Sequence, residues 1–377
     1  MKCFSIPSDF KKETIDIYYQ MNEEYQNNKI LETYGQLSSS ENTIGSGRAA
    51  DHIPLVTKRE LEDFIKYSLS KDIQFNYTLN TTCLGNMEFD EKGMYRIIRF
   101  LEELYELGVS ILTIALPSLI EIAKMSKYNF TIKASTVCNI INADKASSYK
   151  NLGVDRIVVD ESINRDFDAL KRIRDTFGEK VELIVNVVCY KNCIYRMFHH
   201  NQMSHDMYTE KKSVTYYSHR CMQKRCETPS NLLRMNFIRP EDLTYYSDIG
   251  INYFKLQGRQ AALKGDIVKC VKAYITENYE GNLLDLLDCF LPTNSFKAYI
   301  DNKELDDFIV PFVKHGSFCK NNCSSCRYCD NYAKEHFDIE KIEKLNSTAK
   351  LFYEHYEQYT SKIIKMTHMG NAKDTDD

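Results

Sequence analysis

Short runs of apolar and β-branched residues alternate, along about the first 280 residues, with longer segments in which apolar residues recur every three or four positions. The first pattern is typical of buried β-strands and the second of amphipathic helices. Helices are predicted, for example, in RELEDFIKYSLS, MYRIIRFLEELYELG and FDALKRIRDTFG, and the last two end on a glycine suited to a helix C-cap. Strands are predicted over residues 3–6, 30–35, 73–80, 109–116, 130–137, 155–160, 181–188 and 251–258.

Eight strand-helix units predict an α/β fold of the TIM (β/α)8-type barrel class. A doubly wound open sheet gives the same alternation and is the alternative. The barrel is predicted over residues 1–285, with an insertion over 189–250, because the interval after strand seven is much longer than a usual βα connection. Residues 286–377 are predicted to form a C-terminal extension with a polar helix from about residue 337 to 363.

The charge and hydropathy of the chain argue against a strongly basic protein and against a membrane-spanning one. The chain has 49 Lys+Arg against 53 Asp+Glu, so no global field attracts nucleic acid or an anionic membrane. Mean hydropathy is −0.45. The sequence contains no apolar run of about 18 residues, which a membrane-spanning helix requires, and it does not begin with a signal peptide. We therefore expect a soluble, cytoplasmic protein without a membrane partner.

Thirteen cysteines are unusual in such a chain, because cytoplasmic proteins rarely form disulfides. Eight of them fall into two tight groups, which predicts metal binding. The first group is Cys189, Cys193, Cys221 and Cys226; the second is Cys319, Cys323, Cys326 and Cys329. The other five are predicted to be small buried hydrophobic residues: Cys3, Cys83, Cys138, Cys270 and Cys289.

The first cysteine group begins directly after the seventh predicted strand, and barrel active sites lie at the C-terminal ends of strands. This group is therefore predicted to lie over the barrel mouth. Its pairs are spaced C-x3-C and C-x4-C, wider than the two-residue gap that zinc knuckles favour. Soft thiolates select zinc or iron–sulfur, and the wider gaps favour a [4Fe–4S] cluster.

The second cysteine group, CKNNCSSCRYC, packs four thiols into eleven residues. Its first three cysteines have the C-x3-C-x2-C spacing of radical S-adenosylmethionine enzymes, in which the motif follows the first barrel strand. Here only 48 residues follow Cys329, and Cys329 offers a fourth ligand. A second, closed cluster is the favoured interpretation, with zinc and a radical enzyme as alternatives.

Polar residues at the predicted strand ends should line the mouth of the barrel. Arg48, in the glycine-rich GSGRAA, and Arg259 could hold a dicarboxylate through bidentate contacts, or could pair with Asp160 or Glu161. Catalytic candidates are His199, His205, Asp160 and Glu161, although loop histidines often have no role. The other predicted lining residues are Asn80, Ser135 and Thr136.

Several segments, taken in order, resemble the U-thirty-two (U32) peptidase family, also called collagenase-like peptidases. They are GSGRAA, YTLNTT, ELGVSILTIALPSL, KASTVCNIINADKASSYKNLGVDRIVVDE, the cysteine insertion and GINYFKLQGR, together spanning about residues 30 to 280. The family's KIEGR motif is KLQGR here, with Gln257 in place of an acid. The second cysteine group lies outside this resemblance.

The resemblance implies a TIM barrel with a [4Fe–4S] cluster on the first cysteine group. Relatives in the iron–sulfur branch perform oxygen-independent hydroxylation of RNA bases or a quinone precursor, with prephenate as a plausible hydroxyl donor. We therefore expect an iron–sulfur hydroxylase or related redox enzyme that acts on RNA, a peptide or a small aromatic. The alternatives are a non-catalytic electron-transfer or scaffold partner of a redox subunit, and a protease, although the sequence has neither H-E-x-x-H nor G-x-S-x-G.

Overall fold

A closed barrel of eight parallel strands, neighbours in chain order, forms the centre of the protein. The computed structural model describes residues 1–37, 44–47, 54–206, 216–259, 261–292 and 297–371. The strands are β1 (Lys2–Pro7), β2 (Asn28–Gly35), β3 (Gln74–Leu79), β4 (Ile111–Ile114), β5 (Thr131–Ala134), β6 (Arg156–Val158), β7 (Val181–Ile184) and β8 (Tyr253–Lys255). β8 pairs with β1, which closes the sheet and excludes the open-sheet alternative. The barrel prediction is confirmed, and each strand overlaps its predicted run.

Helices follow the strands and surround them. In the barrel they are α1 (Lys12–Glu24), α2 (Lys58–Ser70), α3 (Glu91–Glu106), α4 (Pro117–Met125), α5 (Ala143–Asn151) and α6 (Phe167–Phe177). After β7 come α7 (Arg196–His205), α8 (Tyr216–Arg225) and α9 (Leu243–Ser247). After β8 come α10 (Ala261–Lys264), α11 (Ile267–Ile275), α12 (Leu283–Leu287), α13 (Val310–Lys314), α14 (Cys323–Cys326), α15 (Tyr328–His336) and α16 (Ile339–Asn371).

Helix α3 shows how the local sequence builds the outer layer. Asp90 caps its start by accepting hydrogen bonds from the amides of Lys92 and Gly93, which would otherwise lack partners. Its apolar positions recur at helical spacing, and they are buried against the barrel: Ile97, Phe100, Leu101 and Leu104. The main hydrophobic core therefore lies between the strands and the surrounding helices.

The interior of the barrel contains charged side chains. Lys133 of β5 lies 2.5 Å from Glu32 of β2 and 2.6 Å from Glu182 of β7, measured from Nζ to the carboxylate oxygens. Arg156 of β6 lies 3.3 Å and 3.4 Å from the same two carboxylates. Burial raises the pKa of Glu32, but the charges of Lys133 and Arg156 outweigh it and hold that pKa well below its ordinary range.

The predicted insertion after β7 contains α7, α8 and α9, and a Tyr190–Met235 antiparallel bridge joins its start to the segment before α9. The predicted polar helix near the C-terminus is α16, which starts at Ile339 and extends beyond residue 363. α16 packs against α8, where Arg220 pairs with Glu357. We call α7, α8, α14, α15 and α16, together with the loops that carry the two cysteine groups, the cysteine shell. None of the described helices is long and apolar enough to span a membrane.

Candidate functional site

Arg259 lies just after β8 at the C-terminal end of the barrel, and only 7% of it is exposed. Its guanidinium donates to Gln36, to Thr78 Oγ1 at 2.9 Å and to Asn80 Oδ1 at 3.4 Å. The structure therefore brings Arg259 and Asn80, which were both predicted to line the mouth, into contact. The hydrogen-bond acceptors of this buried guanidinium are therefore neutral side chains at the ends of β2 and β3.

Arg48 lies outside the described residues. The glycine segment before it packs against the end of β3, because a Cβ added to Gly47 would lie 2.7 Å from the carbonyl oxygen of Asn80. The amide of Thr81 also donates to Gly45 O at 2.9 Å. Ser135, another predicted lining residue, is buried and accepts a hydrogen bond from the amide of Val137, so that it caps the short turn Thr136–Cys138.

Gln257, in the position where the family motif has an acid, forms an amide pair with Asn186 across β8 and β7. Its Nε2 donates to Asn186 O at 2.9 Å, and its main-chain amide donates to Asn186 Oδ1 at 2.7 Å. A carboxylate could not make the first of these hydrogen bonds, because it has no donor. Gln257 therefore fits the local structure at the mouth.

Asp160 and Glu161, two of the predicted catalytic residues, pair with Arg196 of α7. Arg196 donates to Glu161 at 2.9 and 2.6 Å and also contacts Asp160. Thr136 adds a hydrogen bond of 2.7 Å to Glu161. Burial lowers the pKa of Arg196, but the charges of Glu161 and Asp160 prevail and raise it. These acids thus have an arginine partner that the sequence did not predict, and they tie α7 to the barrel.

The two histidine candidates lie apart on α7. The His199 ring lies 5.6 Å from that of Tyr217 and 6.3 Å from that of His200. His205 is exposed at the end of the helix. The proposed role of either histidine as a proton donor stays a prediction.

In the first cysteine group, Cys189 packs against Val158, Ile184 and Val187. Val158 and Ile184 share a face with the interior residues Arg156 and Glu182, because alternate residues of a strand point to the same side. Cys189 therefore lies at the barrel mouth, as predicted.

The other three cysteines of this group lie deeper in the shell. Burial raises the pKa of Cys221; the charge of Arg225 opposes this, and a charge on Cys193 would add to it. Cys226 is buried against Ala349 and Tyr353 of α16. The C-terminal extension thus covers a residue of the insertion, although 123 residues separate Cys226 from Ala349 in the sequence.

All four cysteines of the second group line one cavity of about 30 Å³, together with Arg234. Arg327 adopts a left-handed conformation (φ 55°) between α14 and α15, and this turn brings Cys326 and Cys329 to the same cavity. Burial raises the pKa of Cys329 to about 11; the charges of Arg165 and Arg234 oppose this, and those of Cys323 and Cys319 add to it.

The carboxylate of Asp330 connects the two segments that carry the cysteine groups. Asp330, next to Cys329, accepts hydrogen bonds from Arg234 at 2.7 Å and from Ser230, in the segment that follows Cys226. Within the described ranges, no three His, Cys, Asp or Glu side chains are arranged so that they could hold a metal ion. The thiols of the second group thus surround one cavity without converging on one point.

The five remaining cysteines were predicted to be buried and separate. Cys138, Cys270 and Cys289 are buried, whereas Cys3 and Cys83 are only half-buried. Cys270 and Cys289 are not separate, since their sulfur atoms lie 3.6 Å apart. Their positions, on α11 and after α12, are brought together by the packing of the helices that follow β8.

Sequence reasoning missed the charged barrel interior, and with it Lys255 of β8. The Lys255 Nζ is buried and lies 3.5 Å from the centre of the Tyr34 ring, and it has no hydrogen-bond partner among the described residues. The signal was present in the sequence: ILETYG, FTIKAS, DRIVVD, VELIVN and NYFKLQ each place a charge inside an apolar strand. Charges at such positions are rarely buried without a partner or a function.

A protein-family model described as "Peptidase family U32" matches residues 48–283. The chain belongs to peptidase family U32. The matched region ends before the second cysteine group, which therefore lies outside the part that this family model describes.

This U32 chain is also 30% identical, over 338 residues, to an uncharacterised protease of Methanocaldococcus jannaschii; the match covers 89% of this chain and 98% of the relative. The solved structure of a U32 peptidase is similar at 17% identity and a TM-score of 0.49, covering 68% of this chain and 92% of that one. A D-psicose 3-epimerase structure is similar at 12% identity and a TM-score of 0.34, covering 56% and 82%.

Proposed function

We propose that this U32 chain is an iron–sulfur enzyme, an oxygen-independent hydroxylase or a related redox modification enzyme, whose substrate enters the barrel mouth. The position of Cys189 carries the proposal, because its side chain packs on Val158 and Ile184. Barrel enzymes do their chemistry at this end of the strands. A thiolate ligand here would place a metal group beside the bound substrate.

The cysteine donor sets support a thiolate-held metal to different degrees. The second group fits one in part, since all four thiols line one cavity but, among the described residues, no three are arranged to hold a metal ion. In the first group Cys189 lies at the barrel mouth, whereas Cys226 faces α16, so the fit is partial. When bound, a [4Fe–4S] cluster would supply one-electron chemistry or an open iron site. Zinc is the alternative at the second group.

The substrate in this proposal carries a carboxylate or another anion. Arg259 has donors at the mouth, and an arginine fork matches a carboxylate better than a lysine does. Prephenate, a dicarboxylate, fits this requirement as a hydroxyl donor. RNA, a peptide or a small aromatic is the proposed acceptor, and a redox partner subunit in the cytoplasm would exchange electrons with the cluster.

Metal content separates the two cysteine groups. Anaerobically purified protein should be brown and contain iron and sulfide. Cys189→Ala should remove about one cluster's worth of iron and abolish modification activity while the barrel stays folded. Cys326→Ser should empty the second site and destabilise the C-terminal segment, because metal binding there would contribute to its folding. Cys83→Ala, outside both groups, is the control.

The same preparations test the other two functional classes. Colourless protein with zinc and without sulfide would contradict the iron–sulfur proposal. Hydrolysis of gelatin that survives Cys189→Ala would favour a protease, the activity that the name of the Methanocaldococcus jannaschii relative suggests. Iron–sulfur protein that reduces a partner but turns over no substrate would favour an electron-transfer subunit.

Arg259→Gln tests the substrate site. We expect prephenate to bind about 1.5–3 kcal/mol more weakly, the contribution typical of a hydrogen bond to a charged group, with little change in the thermal unfolding of the barrel. Isothermal titration of both proteins measures the difference, with the exposed Arg99→Gln as control. Equal affinity, or unfolding of the variant, would make Arg259 a structural residue.

A further inference from the structure

Lys255 occupies an unusual position in the barrel. It is the last residue of β8, opposite Ser5 of β1 and Ile184 of β7. Because side chains alternate along a strand, Lys255 points to the interior, as does Gln257 two residues closer to the mouth. Lys255 therefore lies one layer of side chains below Gln257, and Arg259 follows it by four residues in the chain.

The two lysines of the barrel interior differ in their partners. Lys133 makes ion pairs with both Glu32 and Glu182. Lys255 is also buried, but its Nζ has no hydrogen-bond partner among the described residues and contacts the face of Tyr34. Burying an amine without partners is costly, and a methionine would fill the same space without that cost. A structural role alone therefore does not explain this lysine.

The surroundings favour the neutral amine. Burial lowers the pKa of Lys255 to about 7, with Lys133 and Arg259 acting in the same direction and Glu182 and Glu32 against it. About half of the molecules would then carry a neutral amine near pH 7. A neutral, enclosed lysine amine is a nucleophile toward carbonyl carbon.

We propose that Lys255 forms a Schiff base with the carbonyl carbon of a 2-oxo acid whose carboxylate binds Arg259. The two groups lie four residues apart at the end of one strand, one presenting a guanidinium and the other an unpartnered amine. A 2-oxo acid carries a carboxylate and an electrophilic carbonyl on adjacent carbons, which matches this pair. The proposal rests on the proposed function in one respect, that the barrel mouth takes an anionic substrate.

The reaction is balanced and needs no oxidant or reductant. The Nζ lone pair attacks the carbonyl carbon, a C–N bond forms, and the carbonyl oxygen becomes a hydroxyl. That hydroxyl, which carries one of the two amine protons, leaves together with the second amine proton as water, and a C=N bond remains. Protonation of this imine gives a cation, which the Tyr34 ring face, 3.5 Å from Nζ, would stabilise.

Reductive trapping tests the proposal. The full-length protein is incubated with pyruvate, a small 2-oxo acid, and with sodium cyanoborohydride. We expect a mass increase of one reduced pyruvate, located on Lys255 by peptide mapping. Labelling should fall at least about tenfold in Lys255→Met and Lys255→Arg, and it should be unchanged in Lys264→Met, a variant at an exposed lysine.

Mapping on the unaltered protein decides the question even if a variant fails to fold. Label confined to surface lysines, or an equal label on the ion-paired Lys133, would overturn the proposal. L-lactate, which has the carboxylate but no carbonyl, separates this proposal from the proposed function. If lactate binding depends on Arg259 but Lys255 is not labelled, only the Schiff base is wrong; if lactate binding does not depend on Arg259, the anion site itself is wrong.

Discussion

The barrel interior and the cysteine shell are held together in different ways. In the interior, Glu32, Lys133, Arg156 and Glu182 come from four strands and pair with one another in a region almost without solvent. In the shell, the pair Arg220–Glu357 between α8 and α16 is partly exposed. The charges inside the barrel therefore stabilise each other away from solvent, whereas this pair of the shell is screened by water.

Arginines at the boundary connect the two regions. Arg196 extends from α7 to Asp160 and Glu161 at the mouth. Arg165, after β6, extends in the opposite direction, donating to Leu233 O at 2.6 Å and lying over the rings of Phe237 and Phe308. A change in α7 can therefore reach the mouth through Arg196.

The largest effect is expected in the interior. Glu32→Ala removes the carboxylate that accepts from Ser5, Asn76 and Lys133, and leaves buried cations with one acid fewer. Breaking a buried pair from one side costs about 3–5 kcal/mol in the free energy of unfolding. Urea unfolding followed by circular dichroism measures this loss.

The exposed pair Glu62–Lys66 on α2 provides the matched control, and Glu62→Ala should cost about 0.5 kcal/mol or less. If Glu32→Ala were no more harmful than Glu62→Ala, the interior charges would not hold the barrel together, and the contrast between the two regions would fail.

A smaller effect is expected from Lys255, which should make the free energy of unfolding depend on pH. Its pKa in the folded protein, about 7, lies below the ordinary value of 10.5, so above pH 7 the unfolded chain binds more protons than the folded one. This group should therefore make the free energy of unfolding rise by about 2 kcal/mol between pH 7 and pH 9.

Lys255→Met should lack this rise and should be more stable than the unaltered protein at pH 7, since it no longer buries an unpaired charge. Denaturant unfolding of both proteins at several pH values gives the difference, in which the titration of all other groups cancels. Parallel curves for the two proteins would mean that Lys255 has a normal pKa.

The smallest effect is expected in the shell. Glu357→Gln breaks the Arg220 pair, in which the side chains are 34% and 42% exposed. Exposed pairs contribute about 0.2–1 kcal/mol, and about 1 M salt should remove that contribution. Thermal unfolding with and without salt measures it, with Glu354→Gln, on the same helix, as control. A loss of 3 kcal/mol or more would show that the shell is as tightly coupled as the barrel.

Much of the fold could be predicted because strands and helices have different periodicities. Each of the eight predicted strands is present. The cysteines of the second group are close in sequence, and they line one cavity. The partners of the acids at the mouth were harder to predict. Asp160 and Glu161 were recognised at a strand end, and a pair with Arg48 or Arg259 was one of two interpretations. Arg259 donates instead to Gln36, Thr78 and Asn80. The acids pair with Arg196, because α7 folds back over the mouth.

The sequence by itself determined the eight strands along the chain, the insertion after β7 and the two cysteine groups, since each depends on neighbours along the chain. The tertiary structure alone decided which charges meet inside the barrel, that Cys226 faces α16, and that the Lys255 amine contacts a ring but has no hydrogen-bond partner among the described residues. The physical reason is that closing a barrel brings together side chains from strands far apart in the chain. Whether a buried charge finds a partner depends on distances that no local pattern encodes.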